Sequence, residues 1–486
     1  MIKLRRIVDD VSERQHNGKR LRPRDVHLLR TIIITLLSLA ALFAARGATA
    51  TTHEYVVTLA DDLRQIEVVA RFGAVVDDVS ARSRSAGEFL IDAHDCDRDS
   101  PLAVAPRLVI PSVGIRCLAY RVDIEKAARL NKRNNQDDAK TLIVQIPLWM
   151  WRPRLGGADD IIVSFKLPHG VDVSVPWQPL PGRDHSFRLT SSPQSGSAIA
   201  IFGEFAAETV RVADADLRIV SVPSRANPIG PEHIRWTRET AEHITLAYGR
   251  FPNPHARVLL LPVASRYGES AIQFGRVVRD GGETIELMID PTKPGESFLG
   301  DWTATHEFSH LMLPYINRNE RWISEGFAQY YQNVLLARAG RYTEEHAWRK
   351  LRDGLERGRE SSPALSPNQA AAGDERNSRM KIYWSGAALA LMADVELRRR
   401  SGGEESLDLV LDRLQACCLP SRRTWSGREL FEKFDSLIDV PLFVDLYDRY
   451  ADTQGFPDYE GLLERPELVE IRESLTARRY TAESGR

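Results

Sequence analysis

Cysteine is scarce in this chain, four in 486 residues with no Cys-x-x-Cys pair. That excludes a disulfide-dense scaffold, a thiolate zinc site and thioredoxin-like redox chemistry. Charge of one sign is also lacking. With 65 Lys+Arg against 67 Asp+Glu, no broad basic field exists to attract nucleic acid. No Gly-x-x-x-x-Gly-Lys or Gly-x-Gly-x-x-Gly run opens a helix after a strand, so a nucleotide cofactor has no support. No apolar run reaches the roughly 20 residues a membrane-spanning helix requires, and no repeat recurs at solenoid periods. What remains is ordinary globular material, 43% hydrophobic and 27% charged, long enough for two to four domains at about 100 to 200 residues each.

The near-zero charge averages unlike parts. Residues 1–50 hold 10 basic and 4 acidic side chains, which leaves 55 against 63 and a net charge of −8 for the rest. The basic excess precedes the apolar run Thr31 to Ala45, which Ala48-Thr49-Ala50 follows in a small-x-small pattern. This is the layout of an export signal, so a periplasmic or extracellular protein is expected. Retention of residues 31–45 as a membrane anchor, or their burial as a helix, are the alternatives. Cys96 and Cys117 either close a loop of about 20 residues in an oxidising compartment or pack as buried thiols. Cys417 and Cys418 are adjacent, where a mutual bridge is strained, and read as packing residues.

From Glu54 to about Val212, short alternating apolar runs are separated by turn residues. Examples are Tyr55 to Leu59, Ile66 to Ala70, Thr141 to Ile146 and Ile161 to Phe165. Their period of two predicts a β-rich, sandwich-like domain over 51–212, with Arg183 to Gly203 as loop punctuation. After Pro231 helical spacing begins. A helix is expected over 232–248, a strand over 258–263, and a hairpin of 271–278 with 284–289 joined through Asp280-Gly281-Gly282. Beyond Trp302 the pattern predicts helices near 302–313, 321–338, 342–358, 379–400, 404–416, 426–437 and 440–451. The Ser-, Pro-, Ala-, Asn- and Gly-containing stretch 360–377 is expected to be a mobile surface loop. The expected organisation is a leader or anchor over 1–50, the β-rich domain, a catalytic α+β domain over 213–400, and a helical part over 401–486.

His306-Glu307-Phe308-Ser309-His310 carries the chemistry. Spacing of i and i+4 puts both imidazoles on one helix face, where they can reach one tetrahedral ion, and places Glu307 beside that ion as a general base. The bland alternative is a surface helix with two solvated histidines. A third ligand is required. Glu325 follows His310 after 14 intervening residues, enough to turn through Pro314 to Asn319 and bring a second helix back beside the first. Taken alone, Glu325 reads as an exposed helix glutamate, but its neighbours Ile323, Phe327 and Ala328 are apolar. No histidine stands six residues after His310, and His346 is the next available, so a metzincin arrangement is excluded.

His306-Glu307-x-x-His310 followed by Trp322-Ile323-Ser324-Glu325-Gly326-Phe327-Ala328 resembles the gluzincin metallopeptidases, in particular the aminopeptidase N and glycyl aminopeptidase families. Tyr383-Trp384-Ser385-Gly386-Ala387 is similar to a downstream helix of the same families. The resemblance spans roughly 215–465 and implies a thermolysin-like α+β catalytic domain with one zinc held by His306, His310 and Glu325. It further implies that Tyr383, otherwise a core aromatic, donates to the oxyanion. Two departures stand out. The spacer before Glu325 is shorter than is common in the family. On the strand expected to face the metal, Gln273 occupies the place of a glutamate that grips a free amino terminus, and a neutral amide is a poor partner for an ammonium group. Glu269 or Glu283 are the substitutes if the register shifts.

The expectation is an exported zinc metallopeptidase acting on peptide or protein substrates. Glu307 serves as base, Tyr383 stabilises the oxyanion, and the substrate lies along Gln273 and Gly275 by strand addition. The alternative is a zinc-binding or inactive envelope scaffold whose β domain recognises partners.

Overall fold

The computed structural model describes residues 50–463, apart from 131–140, 194, 225–226, 266–269, 374 and 440. Residues 1–49 of the expected leader or anchor, the alternative Glu269 and the last residues of the chain lie outside the described residues. The alternating runs near the start of the described chain fold as read. Thr52–Leu59 pairs antiparallel with Gln65–Val76 and parallel with Asp160–Lys166 in an eight-stranded sheet. Its inward residues, among them Tyr55, Val57, Ile66, Val68 and Val163, are buried, as a half-covered sheet requires. They share one core with a three-stranded sheet of Asp172–Ser174, Ile199–Gly203 and Thr141–Gln145. Fully buried Trp149, Trp151 and Trp177 fill the space between.

The sequence expected to be loop from Arg183 to Gly203 contains two of these strands, Ser186–Thr190 and Ile199–Gly203. The Ser- and Pro-containing turn between them dominated the local composition and masked the buried apolar residues on either side.

A five-stranded sheet follows, in the spatial order Ala206–Val212, Ala215–Ser221, His255–Pro262, Glu283–Ile289, Ile272–Arg279. The first strand lies on the β-rich side of the expected division at 212/213 but pairs with Ala215–Ser221. The two central pairings are parallel, and Ile272–Arg279 forms an antiparallel outer edge. The Asp280-Gly281-Gly282 hairpin is present, with Gly281 at φ +79°, a conformation that glycine adopts without steric cost.

Arg257 ties this sheet to the preceding one. Its guanidinium is fully buried and donates to the Ser174 and Ile199 carbonyls at 3.0 and 2.8 Å and to Thr284 Oγ1 at 3.1 Å. Burial lowers its pKa to about 9. Ile143, Ile199 and Ile201 pack against Val220, Leu259 and Leu261 beside it. From Thr51 onward the chain accordingly forms one unit.

The helices beyond Trp302 come close to their expected bounds. Trp322–Arg338 crosses Glu375–Ser401 at Gly326 and Gly386, where a Cβ on Gly326 would come within 2.2 Å of the Gly386 backbone. The stretch 360–377 is not a mobile loop. It contains the helix Pro367–Ala372, capped reciprocally by Ser366 and Gln369, with Ala370 and Ala371 buried. Asn368 accepts from Trp322 Nε1 at 2.8 Å and donates to Asp452. Those tertiary bonds outweigh the loop-like composition.

Cys96 and Cys117 are bridged. Cys417 and Cys418 are bridged as well, against the expectation that they only pack. They end the helix Leu407–Cys418 and Leu419 is already extended, so no following helical turn constrains the pair. Among the described residues no helix is long and apolar enough to cross a membrane.

Candidate active site

The motif helix is short. Thr303–Ser309 is α-helical, His310–Met312 continues it as a single 3-10 turn, and Leu313 is extended because Pro314 disfavours helical backbone in the residue before it. Trp322–Arg338 then begins after a compact turn pinned by Trp425, which exchanges backbone bonds with Tyr315 and Asn317. The short spacer is thus long enough to return the chain.

The turn brings the three expected ligands together. Glu325 Oε2 lies 3.3 Å from His306 Nε2 and 3.6 Å from His310 Nε2, and the three ligand atoms lie within 4.8 Å of one another. The imidazole planes stand at 89° with centroids 4.9 Å apart. Burial opposes charge on Glu325, but the two imidazoles hold its carboxyl well below the usual carboxylate range. For His306, burial works against protonation, and the Glu325 bond with the nearby carboxylates outweighs it, so the pKa is raised.

The set fits a zinc ion on its donor chemistry. His306 Nδ1 donates to Gln332 Oε1 at 2.9 Å, and His310 Nδ1 lies 3.0 Å from Ser324 Oγ. Each outer nitrogen is therefore occupied, which fixes the ring and turns Nε2 inward toward the carboxylate, the outer-shell support that a metal-ligating histidine requires. Neither Ser324 nor Gln332 was singled out in the sequence, although Gln332 stands seven residues after Glu325 and so on the same helix face. Replacing Gln332 by Ala should weaken zinc binding by about 10- to 100-fold. Competition with a chelator measures this, and an unchanged affinity would show that His306 needs no such support.

Arg279 is a third residue the motif did not reveal. Its Nη2 donates to the His310 carbonyl at 3.0 Å, a carbonyl at the helix end that otherwise receives only the Leu313 amide at 3.4 Å. Its Nε holds Glu283 at 2.7 Å. Glu283, one suggested substitute for Gln273, begins the neighbouring strand and is thereby an ion-pair partner at the hairpin.

Glu307 is buried, and burial raises its pKa, with the His310 and His306 rings opposing. It lies against the edge strand, since a Cβ on Gly275 would come within 2.5 Å of Glu307 Cγ. Glycine is what lets backbone and carboxylate approach. Gln273 is the extra residue of a β-bulge, the pairing passing from Ile272 with Ile289 to Phe274 with Met288. Its Nε2 donates to the Ser270 carbonyl at 2.7 Å. Tyr383 is half-buried, its ring centroid 5.7 Å from that of His306. His346 sits on Glu344–Glu360 beside Arg349, apart from the three-residue cluster.

Two imidazoles and a carboxylate converging from two helices beside a sheet edge form the kind of site a zinc metallopeptidase uses. Residues 305–388 match the model of the M61 glycyl aminopeptidase family, a segment that includes all three ligands and Tyr383. The fold resembles an aminopeptidase N family protein from Idiomarina loihiensis, with TM-score 0.53 and 13% identity over 88% of this chain and 76% of that one. It also resembles an M1 zinc metallopeptidase mutant from Deinococcus radiodurans bound to a Tyr-Ser-Ala substrate, with TM-score 0.50 and 13% identity over 85% and 96% of the two chains. No curated protein matches the chain significantly. The gluzincin resemblance drawn from the motifs is borne out by the segment match and the fold. So is the expected order of a β-rich region, a mixed α/β region and terminal helices.

Proposed function

We propose that the protein hydrolyses peptide bonds with one zinc ion held by His306, His310 and Glu325, and that Glu307 and Tyr383 perform the proton and charge work. The observation that carries this reading is the convergence of the three ligand atoms beside the buried Glu307 carboxylate, with the Tyr383 ring next to His306. Zinc in such a set supplies Lewis acidity toward water and toward a scissile carbonyl. Glu307 takes the proton of the attacking water and returns it to the leaving amine, a task helped by burial that brings its pKa closer to neutrality. The Tyr383 hydroxyl donates to the oxygen on which negative charge develops.

The edge strand Ile272–Arg279 offers backbone partners to an extended peptide. Gly275 keeps that peptide close to Glu307, and the Gln273 bulge marks where strand pairing ends. Gln273 presents an amide where a free amino terminus would call for a carboxylate, which favours no strict requirement for that terminus. An exported location, from residues 31–45, belongs to the same proposal.

The test is zinc analysis of the purified protein together with a cleavage profile on peptides with free and with acetylated amino termini. Zinc near one equivalent, cleavage that a chelator stops and zinc restores, and similar rates on both substrate sets are expected. Hydrolysis of no peptide by the zinc-loaded protein would overturn the reading in favour of a scaffold.

A further inference from the structure

Beside the ligand cluster lies a cavity of about 320 Å³ whose charge peptide hydrolysis alone does not explain. Tyr383 forms part of its wall, and so does Gln332, the residue that holds His306. Lys350 and Arg357 enter it from the helix Glu344–Glu360, and Arg379 enters from Glu375–Ser401. Among the described residues no acidic side chain lines it.

Among the described residues none of these three cations is in an ion pair. Lys350 stands over the Tyr342 ring at 5.5 Å and Arg357 over the Trp384 ring at 5.7 Å. Other arginines of the same helices are committed, Arg359 to Glu356 and Glu460, and Arg399 and Arg400 to Glu396. Three like charges gathered at one opening without a counter-charge repel one another, and an anion there relieves that repulsion. The inner wall is polar. Asn333 is 2% exposed, its Nδ2 donates to the Gln329 carbonyl, and its Oδ1 has no hydrogen-bond partner. An unpartnered buried acceptor is costly unless a donor reaches it.

We propose that this cavity is a substrate subsite for a carboxylate next to the scissile bond, and the proposal rests on the peptidase reading of the adjacent site. Arg357 and Arg379 bind the carboxylate through charge-assisted hydrogen bonds, Lys350 adds a point charge, and Asn333 Oδ1 accepts from a peptide N–H. Trp384 and Trp302 cover the intervening methylene groups. Because Tyr383 borders both the ligand cluster and the cavity, a carbonyl held at the cluster places a neighbouring residue at its mouth. The carboxylate comes either from an Asp or Glu side chain or from the carboxyl terminus of a short peptide.

The experiment compares alanine-based hexapeptides carrying one Glu or one Gln at each position, with free or amidated carboxyl termini, on the zinc-loaded wild type and on Arg357→Gln/Arg379→Gln. Calorimetric binding of the same peptides to Glu307→Gln protein supplies a readout without turnover. The wild type is expected to favour the carboxylate-bearing member by about 10-fold or more in kcat/KM, the scale of one charge-assisted contact. The double variant should lose that preference while its rate on Gln-containing, amidated peptides is kept. A preference that tracks Glu at one position identifies the side chain, and one that tracks the free terminus identifies the carboxyl end. Cleavage with no carboxylate preference, or a preference that survives in the double variant, overturns the subsite and leaves the peptidase reading standing. Selective binding that depends on Arg357 and Arg379, with no cleavage of any peptide, overturns the peptidase reading and leaves the subsite standing.

Discussion

Replacing Glu307 by Gln is expected to lower kcat for peptide cleavage by about 10² to 10⁴, the usual contribution of a positioned general base, while the zinc content stays at the wild-type level. The amide fills the same space, so the edge strand at Gly275 keeps its contact with the side chain. It cannot accept the proton of an attacking water. Zinc retention follows because Glu307 stands outside the converging cluster of His306, His310 and Glu325. The measurement pairs steady-state kinetics with metal analysis on one preparation. A variant that kept full turnover would remove Glu307 from the reaction. One that lost activity and metal together would make Glu307 a support of the ligand set instead of a base.

The second large effect concerns stability. Asp408→Ala is expected to cost about 3–5 kcal/mol, the loss found when one partner of a buried pair is removed and the other is left uncompensated. Arg338 and Asp408 are both essentially inaccessible, with Nη2 and Oδ2 2.8 Å apart. Burial works against the charge of Arg338, yet Asp408 beside it holds the guanidinium's pKa above its ordinary value. The Tyr331 hydroxyl donates to the same carboxylate at 2.9 Å. Tyr330 and Arg398 bind Asp394, whose Oδ1 also receives the Leu407 amide, and Arg398 lies 4.0 Å from Asp408 as well. This network ties the ligand-bearing helix Trp322–Arg338 to Glu375–Ser401 and to Leu407–Cys418. Against typical native stabilities of about 5–15 kcal/mol, the variant should unfold at a markedly lower urea midpoint. Tyr331→Phe, which removes one neutral donor, should cost only about 1 kcal/mol. Equal midpoints for Asp408→Ala and the wild type would show that the pair contributes nothing net.

How much of the site could be read in the chain depended on the kind of signal each residue carries. Two histidines one helical turn apart are legible because helix geometry alone puts them on one face, and Glu325 is legible only through its spacing after His310 and the resemblance of Trp322 to Ala328 to a gluzincin helix. Gln332, Ser324 and Arg279 carry no such mark. They are common polar residues, and their role exists only because a return turn and a sheet edge bring them to the imidazoles and to the end of the motif helix. Ser366-Pro367-x-Gln369 did carry a helix-start signal, a capping box with Pro at the first position, but overall composition obscured it.

By itself the sequence determined the helices and strands whose periodicity is strong, the hairpin at Asp280-Gly281-Gly282, and which three residues converge as candidate metal ligands. Each of these follows from interactions between residues near one another in the chain or from the fixed pitch of one element. Only the tertiary structure decided that Gly275 lies against Glu307, that Asp408 neutralises Arg338, that Pro367–Ala372 is docked, and that Lys350, Arg357 and Arg379 meet at one opening. Those depend on the crossing of separate elements, where buried charges must find partners and exposed ones need not, and no local pattern encodes which cations will be left without one.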